Sequence, residues 1–266
     1  MTGATSLAAD GPVRSERHGA VALLTIDRPE TRNALSDEVA RALHRALVAV
    51  AADPALRVVV LTGAGGAFSA GADLKEGLPA DQRVEDVIND RYRPSLELIS
   101  GMDKPVIAAI PGAAAGIAMS YALACDLVVM AEEGYLLSPF ATIGLVPDGG
   151  ATWFLARRLG YHRAYQLCIE AERIPAARCL ALGLANRVVP GTELLAHALA
   201  WAAELAGRAP LALAATKQAM RQALHLSWGD TVAAEARLQN GCVRSDDARE
   251  AIEAFLAKRP PRFEGR

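Results

Sequence analysis

The residue in this sequence best suited to moving a proton is Asp148. It stands in Gly144-Leu145-Val146-Pro147-Asp148-Gly149-Gly150, ahead of a helical run. Apolar neighbours such as Phe140, Leu145 and Val146 would desolvate its carboxylate, raise its pKa and strengthen it as a base. Taken alone, the same text also reads as an ordinary Asp helix cap. Two other places can act through the main chain. Phe68-Ser69-Ala70-Gly71-Ala72-Asp73-Leu74-Lys75 follows a buried strand, and its small residues let a ligand approach the backbone closely. Pro111-Gly112-Ala113-Ala114-Ala115-Gly116-Ile117-Ala118 repeats the order of strand, small residues and helix, and the helix N-terminus adds a favourable dipole. Two backbone donors converging on one oxygen make an oxyanion hole, each contributing roughly 3 to 4 kcal/mol to the transition state. By themselves the two segments also read as tight strand-to-helix turns packed for structural reasons.

Other chemistries are weakly supported. Gly63-Ala64-Gly65-Gly66-Ala67-Phe68 begins like a dinucleotide fingerprint but has Phe68 where the third glycine belongs. The Lys-Ser/Thr of a phosphate-binding P-loop is missing. The histidines at 18, 44, 162, 197 and 225 have no metal-ligand spacing. No G-x-S-x-G nucleophile elbow occurs.

The elements that must carry these residues follow from pattern. Val21–Ile26, Arg57–Thr62, Pro105–Ile110, Asp126–Met130, Tyr135–Leu137 and Arg187–Val189 read as strands. Ser36 caps a helix with Asp37 and Glu38 in its first turn and an apolar face at Val39, Leu43, Ala46, Leu47 and Val50. Asp81–Met102 reads as helix interrupted near Pro94, and Pro175 opens a short helix that Gly183 ends. From Thr192 to Lys258 helix follows helix, with caps at Thr192 and Ser245 and a stop at Gly207. The expected organisation is a loose N-terminal tail over 1–12, an α/β core over 13–191 and a helical C-terminal region over 192–266.

Composition narrows the function classes. The chain has 266 residues, half of them apolar, enough for a full hydrophobic core. A net charge of -2 without a basic stripe argues against nucleic-acid binding. Cys125, Cys168, Cys179 and Cys242 form no C-x-x-C pair and read as free thiols, which points to the cytoplasm. The N-terminus has no apolar core of a signal peptide, and no apolar run reaches membrane-spanning length.

Five segments together resemble successive signatures of the enoyl-CoA hydratase/isomerase (crotonase) superfamily. They are AVALLTIDRPETRNALS, LTGAGGAFSAGADLKE, KPVIAAIPGAAAGIAMSYALACDLVV, TIGLVPDGGATWFLARRLG and AIEAFLAKRPPRFEGR. The resemblance implies an α/β fold that spirals through strand–strand–helix turns and ends in a helical trimerisation region. It implies a homotrimer or dimer of trimers, an acyl-CoA substrate and neither metal nor separate cofactor. By motif position, Ala72 and Ile117 would supply the oxyanion amides. Ala70, Gly71, Ala72, Asp73, Leu74 and Lys75 would line the coenzyme A site, with Gly116, Ile117 and Phe140 at the acyl end. Lys258 resembles a C-terminal basic residue that reaches a coenzyme A phosphate, often in a neighbouring subunit; it also reads as a solvated lysine at a helix end.

The resemblance also bears on the reaction. Hydratases of this family hold water between two glutamates, and those positions are Ser120 and Phe140 here. Asp148 instead resembles the catalytic aspartate of the ring-epoxide/oxepin isomerases of phenylacetate breakdown and related enoyl-CoA isomerases. The expected activity is enoyl-CoA isomerisation, of a double bond or a ring epoxide, with Asp148 as proton shuttle. The alternatives are a hydratase with a non-standard acid–base set, a dehalogenase-like use of Asp148 as nucleophile, and a non-catalytic or RNA-binding relative.

Overall fold

In the computed structural model, which describes residues 5–78 and 81–266, the chain winds as a spiral. One turn is Val106–Ile110 (β5), then Ala113–Ala115 (β6), then the helix Ile117–Ala124 (α4). The next is Leu127–Ala131 (β7), Tyr135–Leu137 (β8) and the helix Ala151–Leu159 (α5). Each turn lays one strand in a large sheet, touches a second layer with a short extended piece, and then runs a helix. Earlier turns follow the same path with single bridging residues in the second layer. Val21–Ile26 (β3) leads to Leu35 and the helix Asp37–Ala52 (α1). Val58–Gly63 (β4) leads to Ser69 and the helices Val84–Val87 (α2) and Arg93–Gly101 (α3). Leu35 bridges Ala72 and Ser69 bridges Ala114, so successive turns are zipped together in this layer.

The large sheet has the order β1-β2-β3-β4-β5-β7-β10, where β1 is Thr5–Asp10, β2 is Val13–His18 and β10 is Arg187–Val189. Pairing is antiparallel from β1 to β3 and parallel from β3 to β10. The small sheet is β6-β8-β9, with β9 at Ile174–Pro175. Val58, Val59, Val60 and Leu61 are all fully buried, because both faces of the large sheet are covered. Val59 and Leu61 pack under α1, α3 and α4, while Val58 and Val60 pack under Leu194, Ala198 and Ala202 of the helix Leu194–Ala206 (α8).

The remaining helices are Tyr161–Glu170 (α6), Ala176–Ala181 (α7), Pro210–Ala223 (α9), Trp228–Val243 (α10) and Asp246–Leu256 (α11). Ser36 and Ser245 cap α1 and α11 by accepting Val39 and Ala248 N–H at 3.2 and 3.0 Å, as their positions lead one to expect.

Four expectations need correction. The segment expected as a loose tail forms β1, because its backbone pairs with β2 from Thr5↔Arg17 to Asp10↔Val13; residues 1–4 lie outside the described residues. The interruption near Pro94 is a π-turn at Ile88–Tyr92, with Pro94 in the first turn of α3, where its missing N–H is harmless. Thr192 lies in a 3-10 turn and makes no side-chain cap, so α8 begins at Leu194. The expected division at residue 191 marks where the helices begin, but α8 packs on the sheet. The helices that stand off from the core are α9, α10 and α11, which contribute few buried residues. Among the described residues no helix is long and apolar enough to cross a membrane.

Candidate active site

Two main-chain turns of the spiral meet at the C-terminal ends of β4 and β5. Phe68 and Ser69 N–H both donate to Ala113 O at 3.0 Å, and Ala115 N–H donates to Ser69 O at 3.0 Å. Gly71 (φ +97°) and Gly116 (φ +56°) then face each other. A Cβ on Gly71 would stand 2.7 Å from Ala115 O and 3.5 Å from Gly116 Cα, so no larger residue fits there. The amides that follow these glycines belong to Ala72 and Ile117. Leu35 N–H donates to Gly71 O at 2.8 Å and Asp73 N–H donates to Leu35 O at 3.2 Å. That bridge turns the Ala72 N–H to the opposite side. Ile117 is the first residue of α4, and its N–H has no acceptor within the helix. Gly116 N–H donates to Leu137 O at 3.0 Å, which ties this turn to β8.

Asp148 enters from the following turn of the spiral. Ala151 N–H donates to Asp148 O at 3.1 Å across Gly149 (φ +59°) and Gly150 (φ +85°). Positive φ at both central positions is the reason for the glycine pair. A Cβ on Gly149 would lie 2.2 Å from Ile117 Cδ1 and 2.9 Å from Ser120 Cβ, so the turn rests on the first helical turn of α4. Ser120 Oγ donates to Asp148 O at 2.8 Å. The helix cap of α5 is Gly150 and has no side-chain bond, so the capping reading of Asp148 does not hold. Asp148 Oδ1 is buried without a hydrogen-bond partner. Burial pushes the carboxyl up from an ordinary 3.8 to about 6. Leu145 and Val146, expected to desolvate it, are 55% and 75% exposed, whereas Ile117 and Ser120 of α4 pack against the adjoining Gly149. Phe140 is buried, with Cζ 3.8 Å from where a Gly116 Cβ would be.

The other expected site residues divide. Ala70 and Ala72 sit at the surface on either side of buried Gly71. Asp73 is held by Arg28, Nη1 to Oδ2 3.3 Å, and its Oδ1 accepts Lys75 N–H at 3.2 Å. Leu74 and Lys75 are exposed at the loop rim. Lys258 lies just beyond the end of α11 with φ +52°, and among the described residues no hydrogen bond or ion pair joins it to the Ala70–Lys75 loop. Residues 79–80, shortly after this loop, lie outside the described residues.

Sequence reasoning missed the residues that brace these loops. Asn33 is fully buried, donates to Ala64 and Ala67 O at 2.8 Å each, and accepts Arg28 N–H at 2.9 Å. Its left-handed φ of +59° was the available signal, since asparagine tolerates that region. Tyr92 donates to Leu35 O at 3.2 Å from the π-turn, beside the Ala72 bridge, and burial raises its phenol. A lone tyrosine in helical text carries no such signal.

Comparison with known proteins identifies the family. The family model for enoyl-CoA hydratase/isomerase matches residues 16–266. A probable enoyl-CoA hydratase of Rhodobacter capsulatus is 40% identical, over 96% of this chain and 98% of the relative. The 1,2-epoxyphenylacetyl-CoA isomerase of Escherichia coli is 34% identical, over 92% of this chain and 95% of the relative. A crystal structure of an enoyl-CoA hydratase subunit from Geobacillus kaustophilus superposes with a TM-score of 0.90 at 32% identity, covering 96% of this chain and 99% of that one. The chain therefore belongs to the enoyl-CoA hydratase/isomerase (crotonase) superfamily. Its mixed α/β spiral with a helical C-terminal region is the fold of those structures.

Proposed function

We propose that this protein is an enoyl-CoA isomerase in which Asp148 is the proton shuttle and the Ala72 and Ile117 amides hold the thioester oxygen. The observation that carries this reading is the half-buried Asp148 carboxylate, with Oδ1 unpaired and its pKa near 6, on a turn that rests at Gly149 on the helix that begins with Ile117. Ser120 and Phe140 leave the two hydratase glutamate positions without a carboxylate.

The steps balance with one base. The Asp148 carboxylate takes the proton from C2 of a 3-enoyl thioester. The C–H electron pair moves into C1–C2, and negative charge collects on the thioester oxygen, where two amides donate. The protonated Asp148 then returns its proton to C4. The electrons settle as a C2–C3 double bond and the carboxylate is restored. Coenzyme A is part of the substrate, with Ala70–Lys75 lining its site, and no separate cofactor is needed. Burial serves this chemistry, because a base with a pKa near neutrality is present as carboxylate at working pH and yet binds the proton firmly.

A second reading has its own support: the Rhodobacter relative is named as a probable hydratase. In that case water would be activated by Asp148 with a partner other than the two missing glutamates. Turnover of straight-chain 3-enoyl-CoA, 2-enoyl-CoA and aryl-acetyl-derived CoA esters separates the readings. Isomerisation of the 3-enoyl ester without release of 3-hydroxyacyl-CoA is the expected result. Hydration of the 2-enoyl ester at a higher kcat/KM would replace it with the second.

The assembly belongs to the same proposal, as a homotrimer or dimer of trimers. Trp228, Phe255 and Leu256 on α10 and α11 are 85%, 82% and 75% exposed, a large apolar area for a lone chain to present to water. In such an assembly Lys258 would meet a neighbour's coenzyme A site.

A further inference from the structure

Ser120 is bonded in an unusual way for a helical serine. A buried serine in a helix commonly turns its hydroxyl back to the carbonyl four residues earlier. Here that carbonyl belongs to Gly116, and it accepts Met119 N–H at 3.0 Å. Ser120 Oγ reaches out of the helix to the carbonyl of Asp148 at 2.8 Å. The same carbonyl accepts Ala151 N–H, so two donors fix the Asp148 peptide plane. That plane sets the direction in which the carboxylate leaves the main chain. Ser120 is 0% exposed, and Gly149 lies directly on its Cβ and on Ile117. A water has no space between the turn and α4 at that point.

We infer that Ser120 is a positioning residue whose hydroxyl clamps the Asp148 turn to α4, aiming the carboxylate and keeping water from beneath it. The inference rests on Asp148 being the proton shuttle. Few other groups tune that carboxylate. On α4 the titratable groups are Tyr121, whose phenol donates to Tyr92 O at 3.2 Å, and none beside it up to Ala124. The 3-10 turn Phe140–Ile143 has no titratable side chain, and α5 carries Arg157 and Arg158 in its last turn. Tyr92 is the phenol that senses the Asp148 charge. The clamp therefore controls Asp148 through its hydration.

The test compares Ser120→Ala, Ser120→Cys and Asp148→Asn with the wild type on a 3-enoyl-CoA ester. Cysteine fills the volume of serine with a much weaker donor. Both Ser120 variants should lose roughly five- to tenfold in kcat, about the weight of one buried hydrogen bond. KM should change less than about twofold, because uniform binding is untouched. The acid limb of kcat should move down by about half a pH unit or more as water reaches the carboxylate. Should Ser120→Ala melt before assay, Ser120→Cys carries the same reading. Wild-type kcat in both Ser120 variants, a rise in KM alone, or a lower kcat with an unmoved acid limb would each overturn the clamp. Asp148→Asn tells the two failures apart. If it is fully active, the shuttle itself is wrong and the clamp falls with it. If it is inactive while the Ser120 variants behave as wild type, only the clamp falls.

Discussion

Ala72 and Ile117 are set by main chain packed on main chain, whereas Asp148 hangs from one turn fastened to α4 through Ser120 and Gly149. On the amide side three backbone hydrogen bonds join the two loops, and Gly71 meets Gly116 at a distance that excludes a Cβ. On the carboxylate side the geometry depends on side chains: one hydroxyl bond and the bulk of Ile117. The first arrangement is almost indifferent to which side chains follow the glycines. The second changes with every residue that touches the turn. Relatives of this chain are named both hydratase and isomerase, and under the proposed function the amide side would stay fixed while the carboxylate side would select the reaction.

The largest expected effect breaks the carboxylate side alone. Asp148→Asn should fold and bind acyl-CoA yet lose at least ~100-fold in turnover, the usual weight of a positioned general base. Steady-state kinetics together with calorimetric binding of an acyl-CoA checks both halves. A silent variant would return Asp148 to a structural role.

Next comes the amide side. Gly71→Ala places a methyl 2.7 Å from Ala115 O at a φ of +97°, so the Ala72 amide must shift. Displacing one donor should lower kcat by roughly 10²-fold or more. The pH limb set by Asp148 should stay where it was, which kinetics at several pH values would show. If that limb moved, the two sides would not be independent.

A smaller effect appears in stability. The Asp148 carboxyl is raised in the fold, to about 6 from 3.8, so the folded state holds this proton more tightly than the unfolded chain. Stability from this group is therefore full below the unfolded value and is lost as pH rises through 6. Asp148→Asn should stabilise the protein at pH 8 by up to about 3 kcal/mol, two pKa units' worth. The gain should vanish near pH 4. Thermal melting at both pH values measures it, and equal gains at both would contradict the burial account.

The smallest effect concerns the side chain that the amide argument says is irrelevant. Ala72→Ser leaves the N–H in place on an exposed residue. It should change kcat by less than about threefold, since an amide donor needs no particular side chain. A larger loss would show that the loop's small residues contribute more than access to the backbone.

How much of this the sequence disclosed follows the same line. Strands such as Val58–Gly63 and Val106–Ile110 were legible because both sheet faces are buried and their runs are mostly apolar. The amide turns were legible as glycine-rich breaks after those strands, although only the family resemblance distinguished them from ordinary turns. The spiral itself was not legible by periodicity, because its second layer is made of pieces as short as one bridging residue, such as Leu35 and Ser69. Strand β1 was missed because its text is small and polar, and its pairing with β2 comes from backbone bonds rather than side-chain pattern. The sequence pointed to Asp148 as a candidate base buried by its chain neighbours; its carboxyl is buried, but Leu145 and Val146 are exposed. Neighbours in space, Ile117 and Ser120, instead meet the turn at Gly149.

The spiral also orders the site in time. A chain leaving the ribosome N-terminus first can lay each turn on the one before it, closing only short loops. Leu35 finds Ala72, then Ser69 finds Ala114, and Gly116 is secured once Leu137 has emerged. Asp148 follows all of them in the chain, and its carbonyl meets Ser120 on a helix that precedes it. A nascent chain ending near β8 would thus carry both glycine turns but not Asp148. The Asp148 turn would be added last, onto a scaffold that no longer needs to rearrange.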